Sequence, residues 1–522
     1  MDLCISFLLL ILSLFLYLYW SFKKAHMFFE NLNVPYLKPN LIFGNMTDVM
    51  LLRKSLAEVY RDIYNKLEPH RFGGVFTMKK PTFLIRDPEL IRDILIKDFA
   101  FFSDRGITSD RTNEPMSYHL FNMKGDEWKN LRIKLTSTFT SGKMKMMFPL
   151  LTRCGEKLSQ VIDKIPENES FDVKDLFARY TTDAIGTCAF GLETNSLDNP
   201  NSEFRIMGKK IFEFRYKSLI RTLWTNIPSS LVKLLNLTIV DTKIEKFFMN
   251  IVDTTVKYRE QNNITRSDFL DLLIALKNNT ILQKFHDGAE QDDLQKFLHQ
   301  IGDKFVKSDV EMTNDLLAAQ AFLFFAAGFE TSSTTLGYAL LELCLNPTIQ
   351  DEVRREIHQV LTSNDNQLTY DAVKKMKYTD MVIAETLRKY PPAAMLFRRC
   401  CENYKIPQTK VIIPANTSVI VSIYGIHMDE KYYTNSEQFR PERFTEQEIA
   451  KRPNYTYLPF GEGPRVCIAE RFAKMKVKIG LIYALKDFSY QVSPEMKFPL
   501  EFEKNFGLLT PRDSIRLLRQ KV

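Results

Sequence analysis

The sequence predicts one mainly α-helical domain with a minor β part, behind a single N-terminal transmembrane helix. Three observations lead to this fold class. Apolar residues recur with helical period through most of the chain, a few short runs have strand character, and an uncharged apolar segment comes first. Of the 522 residues, 45% are hydrophobic and 26% charged, which excludes a mostly disordered or collagen-like chain.

The first segment is long enough to cross a bilayer. Leu3 to Phe22 carry no charge, and a helix of that length spans about 30 Å. Lys23 and Lys24 follow directly, so the positive-inside rule leaves the body cytosolic. A cleaved signal peptide is the alternative, disfavoured by the long apolar run, the C-terminal basic flank and the lack of a small-residue cleavage site. We expect a membrane anchor at 1–22, a Pro-containing linker at 23–40 and a single domain at 41–522.

The body starts with a predicted β-hairpin and is helical thereafter. The runs GGVFTM and PTFLIRD flank Lys79-Lys80 and predict a hairpin near 73–87. Residues 201–250 mix aromatics and leucines without one apolar face, which fits a bilayer or substrate-entrance surface or an ordinary pair of core helices. Helices are predicted near 125–140, 143–165, 171–190, 240–262, 310–345, 350–362, 376–390 and 468–487, and short strands within 411–425.

The net charge, the cysteines and the histidines limit the classes of function that the chain could have. The net charge of 71 − 63 = +8 is mild for this length, so it favours an acidic partner or a membrane surface over nucleic acid. Seven cysteines without regular spacing indicate a reducing compartment rather than a disulfide framework. The seven histidines form no HExxH or other close pair, which disfavours a zinc enzyme.

One cysteine stands in a loop suited to ligand binding. The segment FGEGPRVCIA presents Cys467 just before a predicted helix. Backbone N–H groups at a helix N-terminus and nearby Arg465 favour an anionic sulfur, so we expect Cys467 to be biased toward thiolate. Gly461 and Gly463 would let the backbone approach a flat ligand. The alternative is a buried, inert cysteine.

This loop resembles the haem-binding loop of the cytochrome P450 monooxygenases, FxxGxRxCxG. Phe460, Gly463, Arg465 and Cys467 match, while Ala469 replaces the final glycine. The resemblance implies a cytochrome P450 fold, a haem-thiolate catalytic domain, haem b (iron protoporphyrin IX) as cofactor and Cys467 as the axial iron ligand. The extra methyl of Ala469 would alter packing slightly and leave ligation intact.

A second motif lies in a long predicted helix. No proline occurs from Val310 to Asn346, and Ser308-x-x-Glu311 reads as a capping box at the start. The run AAGFETSSTT at 326–335 puts Gly and hydroxyl residues where a rigid core helix would prefer Leu or Ala. Small residues would let the helix pass close over a ligand, and a flexible helix-packing patch is the alternative.

The same run resembles the family's [AG]-G-x-[DE]-T-[TS] segment. The resemblance implies that Ala327 lies against the haem, that Thr331 holds dioxygen and its water, and that Glu330 relays protons from solvent.

Two further motifs agree with this family. Glu385-x-x-Arg388 would alone be a surface ion pair, but with Pro441-Glu-Arg443-Phe it resembles the family's ExxR and PERF segments, which implies a buried structural charge network. Trp128-x-x-x-Arg132 resembles the family's propionate-binding WxxxR. Arg398 and Arg465 occupy the other positions where the family places propionate-binding arginines.

Local runs at 103–106 and 135–145 and Phe444 resemble the insect microsomal family-six branch. The resemblance implies oxidation of a lipophilic small molecule, such as a plant toxin, insecticide, hormone or endogenous lipid, at the endoplasmic reticulum. Two rival functions stay open. One is a thiolate-haem enzyme that rearranges peroxides without a reductase, which Glu330-Thr331 disfavours, and the other is an anchored binding protein.

The electrons must come from a partner, because no GxGxxG or P-loop accompanies these motifs. The resemblance implies NADPH-cytochrome P450 reductase, with cytochrome b5 as a second candidate, and no nucleic acid. We expect a basic docking face formed by Lys129, Lys134, Lys143, Lys145, Arg471, Lys474, Lys476 and Lys478.

Overall fold

A computed structural model of the chain describes residues 2–213, 238, 240–278, 310–504 and 507–522. Much of the mixed apolar region predicted at 201–250, and Ser308 of the predicted capping box, lie outside these residues.

Helices make up most of the described chain, as the apolar periodicity predicts. They are Asp2–His26, Phe28–Asn31, Thr47–Met50, Leu56–Lys66, Pro88–Arg92, Gly125–Thr136, Ser141–Asp163, Val173–Ile185, Glu203–Phe212, Thr242–Asn262, Phe269–Lys277, Asn314–Leu345, Pro347–Thr362, Tyr370–Lys375, Lys377–Lys389, Ile423–His427, Glu446–Lys451 and Glu470–Leu485. Single π-helical turns follow two of them, at Asp93–Lys97 and Gly186–Phe190. The predicted mainly α class is confirmed.

In the part of the chain that the structure describes, nine short strands form three small sheets. The strands are β1 Phe72–Thr77, β2 Lys80–Ile85, β3 Phe171–Asp172, β4 Met395–Arg399, β5 Tyr404–Lys405, β6 Ile412–Ile413, β7 Ser418–Ser422, β8 Phe488–Val492 and β9 Arg516–Lys521. The largest sheet has the order β1-β2-β7-β4, in which β2 and β7 are parallel and the outer pairs antiparallel. Its β1–β2 hairpin is the one predicted near 73–87.

The N-terminal helix, Asp2–His26, is apolar and exposed along the span predicted as an anchor, which suggests membrane association. The expected linker at 23–40 is partly helical, because the helix continues to His26 and a further turn follows at Phe28–Asn31. Phe29 in that turn is fully buried against the rings of the first sheet. The N-terminal helix therefore leads directly into the core.

A long helix, Asn314–Leu345, crosses the core of the body. It starts four residues later than predicted, because the Thr313 hydroxyl accepts a hydrogen bond from the Leu316 N–H and caps it there. It is apolar enough to cross a membrane, but 67% of its most apolar window is buried inside the protein. It is therefore a core helix rather than a second membrane span. Phe324 packs on Phe472 of Glu470–Leu485, the cysteine helix, with ring centroids 5.2 Å apart.

Candidate functional site

The cysteine loop is fixed by backbone contacts with its neighbours. The Cys467 N–H donates to Phe460 O at 3.0 Å and closes the loop. Gly463 has φ of +72°, and a Cβ there would lie 2.0 Å from Leu95 O. Only glycine fits at that position. The requirement seen in the structure comes from the passing Leu95 backbone.

Ala469 is compatible with the loop although the family pattern has glycine there. It is the N-cap of the cysteine helix, with φ of −100° and ψ of 18°. That conformation has negative φ, so a Cβ introduces no strain of the kind that glycine relieves. The methyl group is half-buried.

The Cys467 thiol is accessible and yet desolvated. Its side chain is exposed, while the surrounding protein raises its pKa by burial. A hydrogen bond from the Ala469 backbone and the charges of Arg132 and Arg105 lower that pKa, but burial outweighs them and overrides the predicted bias toward thiolate. Because the side chain is exposed although protein surrounds the sulfur, we infer that Cys467 lies on the wall of a cavity. A metal ion there would favour loss of the proton.

The long helix turns an accessible face to the same cavity. Ala327 is exposed and Thr331 half-buried, although Phe325 and Phe329 on the same helix are fully buried. The Phe324–Phe472 contact holds this face beside the start of the cysteine helix. The Thr331 hydroxyl donates to Ala327 O at 2.6 Å and keeps its lone pairs free to accept.

Glu330 points elsewhere. Consecutive helical residues lie about 100° apart around the axis, and the Glu330 carboxylate pairs with Lys174 Nζ at 2.9 Å on the helix Val173–Ile185. Within the described part of the chain no hydrogen bond joins Glu330 to Thr331. The structure therefore brings Thr331 to the cavity and leaves Glu330 on the adjoining face, next to a lysine that the sequence did not single out.

Four arginines gather near the cavity: Arg105, Arg132, Arg398 and Arg465. Burial lowers the pKa of Arg132 and Arg398 to about 10 and that of Arg465 to about 9. The pKa of Arg105 falls well below its ordinary value, because of burial and then repulsion from the other three. Desolvated cations that repel one another favour a bound anion.

The four guanidinium groups have different amounts of spare donor capacity. Arg465 donates to Ser103 O at 2.9 Å and Met123 O at 2.8 Å, and its charge lies 3.8 Å from the centre of the buried Trp128 ring. Arg398 is 3% exposed and donates to Phe397 O, while its Nε has no hydrogen-bond partner among the described residues. Arg398 is therefore better placed than Arg465 to bind an added anion.

This cavity fits a haem. Cys467 offers an accessible sulfur, the face around Ala327 offers apolar contact for a flat ring, and Arg398 offers a buried unused donor among neighbouring cations. Two propionates would neutralise the repelling arginines. Arg105 was not predicted as a site residue. Its place among desolvated cations depends on the burial of its neighbours, which the sequence does not show.

A separate charge network lies beneath the site. Arg388 Nε and Nη2 donate to the two Glu385 carboxylate oxygens at 2.7 and 2.8 Å, and Arg443 Nε lies 3.4 Å from Glu385. The remaining Arg388 donors reach the backbone oxygens of His427 and Ser436. The ExxR and PERF segments thus come together as predicted.

His427 links this network to the cysteine loop. Its Nδ1 donates to Arg388 O at 3.1 Å, and its Nε2 accepts from the Leu458 N–H at 2.8 Å, two residues before Phe460. Complete burial and the Arg388 charge lower the pKa of His427 to about 3, so this histidine is neutral. The sequence offered no spacing signal for it.

The expected basic docking face is only partly correct. Lys145, Arg471 and Lys474 are exposed, and Lys129, Lys134 and Lys143 are partly exposed. Lys476 and Lys478 are 0% and 4% exposed and cannot belong to a surface. Both side chains face the core, because the cysteine helix is covered by other helices on two of its sides.

Comparisons with known proteins identify one family. A family model described as Cytochrome P450 matches residues 34–519. The chain is 39% identical over 528 residues to probable cytochrome P450 6a23 of Drosophila melanogaster, covering 100% of both chains. It is 39% identical over 504 residues to cytochrome P450 6k1 of Blattella germanica, covering 96% of this chain and 94% of that one. Probable cytochrome P450 6a18 of Drosophila melanogaster is 41% identical over 487 residues, 92% of each chain.

Proposed function

This chain belongs to the cytochrome P450 family, and we propose that it inserts one oxygen atom from dioxygen into a lipophilic small molecule, with electrons from an NADPH-dependent reductase. Its relatives are insect family-six proteins, as the sequence predicted, and family membership makes it a haem-dependent monooxygenase. The observation that carries the proposal is the accessible yet desolvated Cys467 thiol.

We propose haem b as the form of the cofactor. When bound, it supplies dioxygen activation, and thiolate ligation by Cys467 donates the electron density that favours O–O cleavage. Arg398, with Arg132 and Arg105 nearby, would hold the propionates, and Arg465 with Trp128 would support that wall. Phe460 and Gly463 keep the loop closed against its neighbours.

Proton delivery is the proposed task of Thr331 and Glu330. The Thr331 hydroxyl can accept from a water in the cavity, and its own proton is held by Ala327 O. Glu330 is 9% exposed and its partner Lys174 is more accessible, so this pair offers a route from the surface. Because Glu330 and Thr331 point apart, a water would have to connect them.

The substrate is proposed to be apolar, a xenobiotic or an endogenous lipid or hormone. Candidate walls are the segment 107–121, the long helix near Phe324, and the segment Ala393–Phe397. The segment Phe506–Leu509 is a fourth candidate wall and lies partly outside the described residues. Met116 and Phe324 are buried apolar side chains, which support a pocket that excludes water.

The location and partners follow the same proposal. The apolar N-terminal helix supports an anchored enzyme at the endoplasmic reticulum, with the body on the cytosolic side. The exposed cations Lys145, Arg471 and Lys474 suit an acidic redox partner, the NADPH-cytochrome P450 reductase or cytochrome b5.

The spectrum of the reduced, carbon-monoxide-bound protein tests the central claim. We expect the strongly red-shifted Soret band of thiolate ligation in the full-length protein and its loss in Cys467→Ala. Cys401→Ala is the matched control, since that partly exposed thiol contacts Ser103 and should leave the band unchanged. A wild-type protein without that band would refute the proposed function.

Thr331→Ala tests proton delivery. We expect it to keep the band but release on the order of tenfold more hydrogen peroxide per product formed, because the loss of the hydroxyl that accepts from the cavity water slows proton delivery, and so only the productive branch. The matched control is Thr335→Ala, one turn further along, whose hydroxyl donates to Thr331 O at 2.8 Å and is buried. Equal coupling in Thr331→Ala and the wild type would remove the proposed role.

A further inference from the structure

Lys476 is a buried lysine that the proposed mechanism leaves unused. It lies on the cysteine helix, is 0% exposed, and donates from Nζ to Gly328 O on the long helix at 2.6 Å. Among the described residues no carboxylate pairs with it. The titratable groups that face it are the buried Cys188 thiol and the Tyr180 hydroxyl, which donates to Lys476 O at 3.0 Å.

The bond reaches the long helix beside the reacting segment. Gly328 follows Ala327 and precedes Thr331 by three residues. Ala327 O accepts the Thr331 hydroxyl and Gly328 O accepts Lys476, so two consecutive helix carbonyls each carry a side-chain donor. Such extra donors draw carbonyls away from the helix axis and bend the helix locally.

The absence of a side chain at Gly328 lets Lys476 and the helix Val173–Ile185 pack close to the long helix. A Cβ there would lie 2.6 Å from Ile185 Cδ1 and 3.4 Å from Lys476 Nζ. The position therefore packs tightly between the cysteine helix and the helix Val173–Ile185. A shift of the Lys476 nitrogen would be transmitted to the backbone rather than absorbed by empty space.

We propose that Lys476 is a positioning residue, whose nitrogen holds Gly328 O and thereby sets the place of Thr331 relative to Cys467. The inference rests on the proposed function, since it assigns Thr331 a task in proton delivery. Burial lowers the pKa of Lys476 to about 7. Both the ammonium and the neutral amine can donate to a carbonyl, so the bond does not depend on one charge state.

Turnover of the full-length, membrane-bound protein with reductase tests the proposal. We expect Lys476→Met to keep the thiolate band and a KM within about twofold, while kcat and product formed per NADPH fall on the order of tenfold. Lys476→Gln keeps a donor one bond shorter, so we expect an intermediate loss of about threefold. The control is Lys478→Met, which removes a buried lysine on the same helix that pairs with Asp380 at 2.8 Å, and should leave coupling unchanged.

A second readout needs no turnover. The unfolded chain holds its Lys476 proton up to about pH 10.4, whereas the folded chain loses it near pH 7, so the unfolded state binds more protons between those values. The unfolding temperature of the wild type relative to Lys476→Met should therefore rise from pH 7 to 9.

Several results would overturn the inference. Wild-type coupling in either folded variant would do so, as would an equal loss in Lys478→Met. If Lys476→Met does not fold, the product formed per NADPH by Lys476→Gln decides instead. Loss of the thiolate band from the wild type is a different outcome, because it would refute the proposed function instead.

Discussion

Two groups of buried arginines differ in how many hydrogen-bond acceptors the fold places around them. Arg388 in the network beneath the site has a carboxylate or carbonyl acceptor for each of its nitrogens. Arg398 beside the cavity is almost as buried, but among the described residues it has one backbone acceptor and its Nε has no hydrogen-bond partner. The fold thus satisfies the charges that hold the scaffold and leaves a charge incompletely satisfied where we propose that a haem propionate binds.

The largest expected effect comes from breaking the satisfied group. Arg388→Met removes the bidentate partner of the fully buried Glu385 carboxylate and leaves it, among the described residues, with the Arg443 side chain and the Arg440 N–H, so we expect a loss of about 3–5 kcal/mol in unfolding free energy. Chemical denaturation measures it. The control is Arg355→Met, an exposed i,i+3 pair with Glu352 that should change stability by less than about 1 kcal/mol.

The Glu385→Leu/Arg388→Met/Arg443→Met triple variant sharpens this result. Removing all three charges leaves no unpaired ion of this network, so the triple variant should be more stable than Arg388→Met alone. Equal stability of the two would mean that lost packing, and not an orphaned charge, dominates this region.

The next effect concerns pH and the histidine that joins the two regions. His427 has a pKa of about 3 in the folded protein against about 6.5 when unfolded, so the unfolded state binds more protons between those values. Stability is full above pH 6.5 and is lost as the pH falls, by about 2 kcal/mol at pH 5. In His427→Gln the unfolding temperature should fall less steeply from pH 7 to 5. Parallel curves for the two proteins would contradict this assignment.

The smallest effect is expected on the incompletely satisfied group. Arg398→Met removes a desolvated cation with a spare donor, so haem affinity should fall on the order of tenfold while the stability of the haem-free chain is unchanged or higher. Hemin titration and thermal unfolding of the same preparation measure the two quantities. Its neighbour Arg399 is half-buried and pairs with Asp104, so Arg399→Met should leave haem affinity unchanged. A similar loss in both variants would erase the distinction between the regions.

Much of the fold could be predicted because it depends on local pattern. The hairpin at Phe72–Ile85 and the helices Gly125–Thr136 and Lys377–Lys389 follow from periodicity and turn residues. The start of the long helix was misplaced because Glu311 offered a capping pattern and Thr313 made the actual cap. Two candidate N-terminal caps a few residues apart cannot be ranked from sequence alone, because the packing around them decides which one starts the helix.

The site residues that could be predicted are those that belong to a sequence motif. Cys467, Thr331 and Arg398 lie at or near one cavity, as the family pattern implied. Arg105 and His427 were missed, because their character comes from neighbours distant in the chain. Lys476 was assigned to a docking surface because a run of lysines on a helix gives no sign of which face is buried.

The residues along the chain by themselves determined the mainly helical fold, the apolar N-terminal helix, the sulfur that would bind iron and the family. Those depend on composition, period and short spacings, which are local properties. Only the tertiary structure decided which cations are paired, which way Glu330 points, why residue 463 must be glycine and where Lys476 donates. Burial and pairing depend on segments that are often distant in the chain, and burial and pairing decide the free energy of a charge.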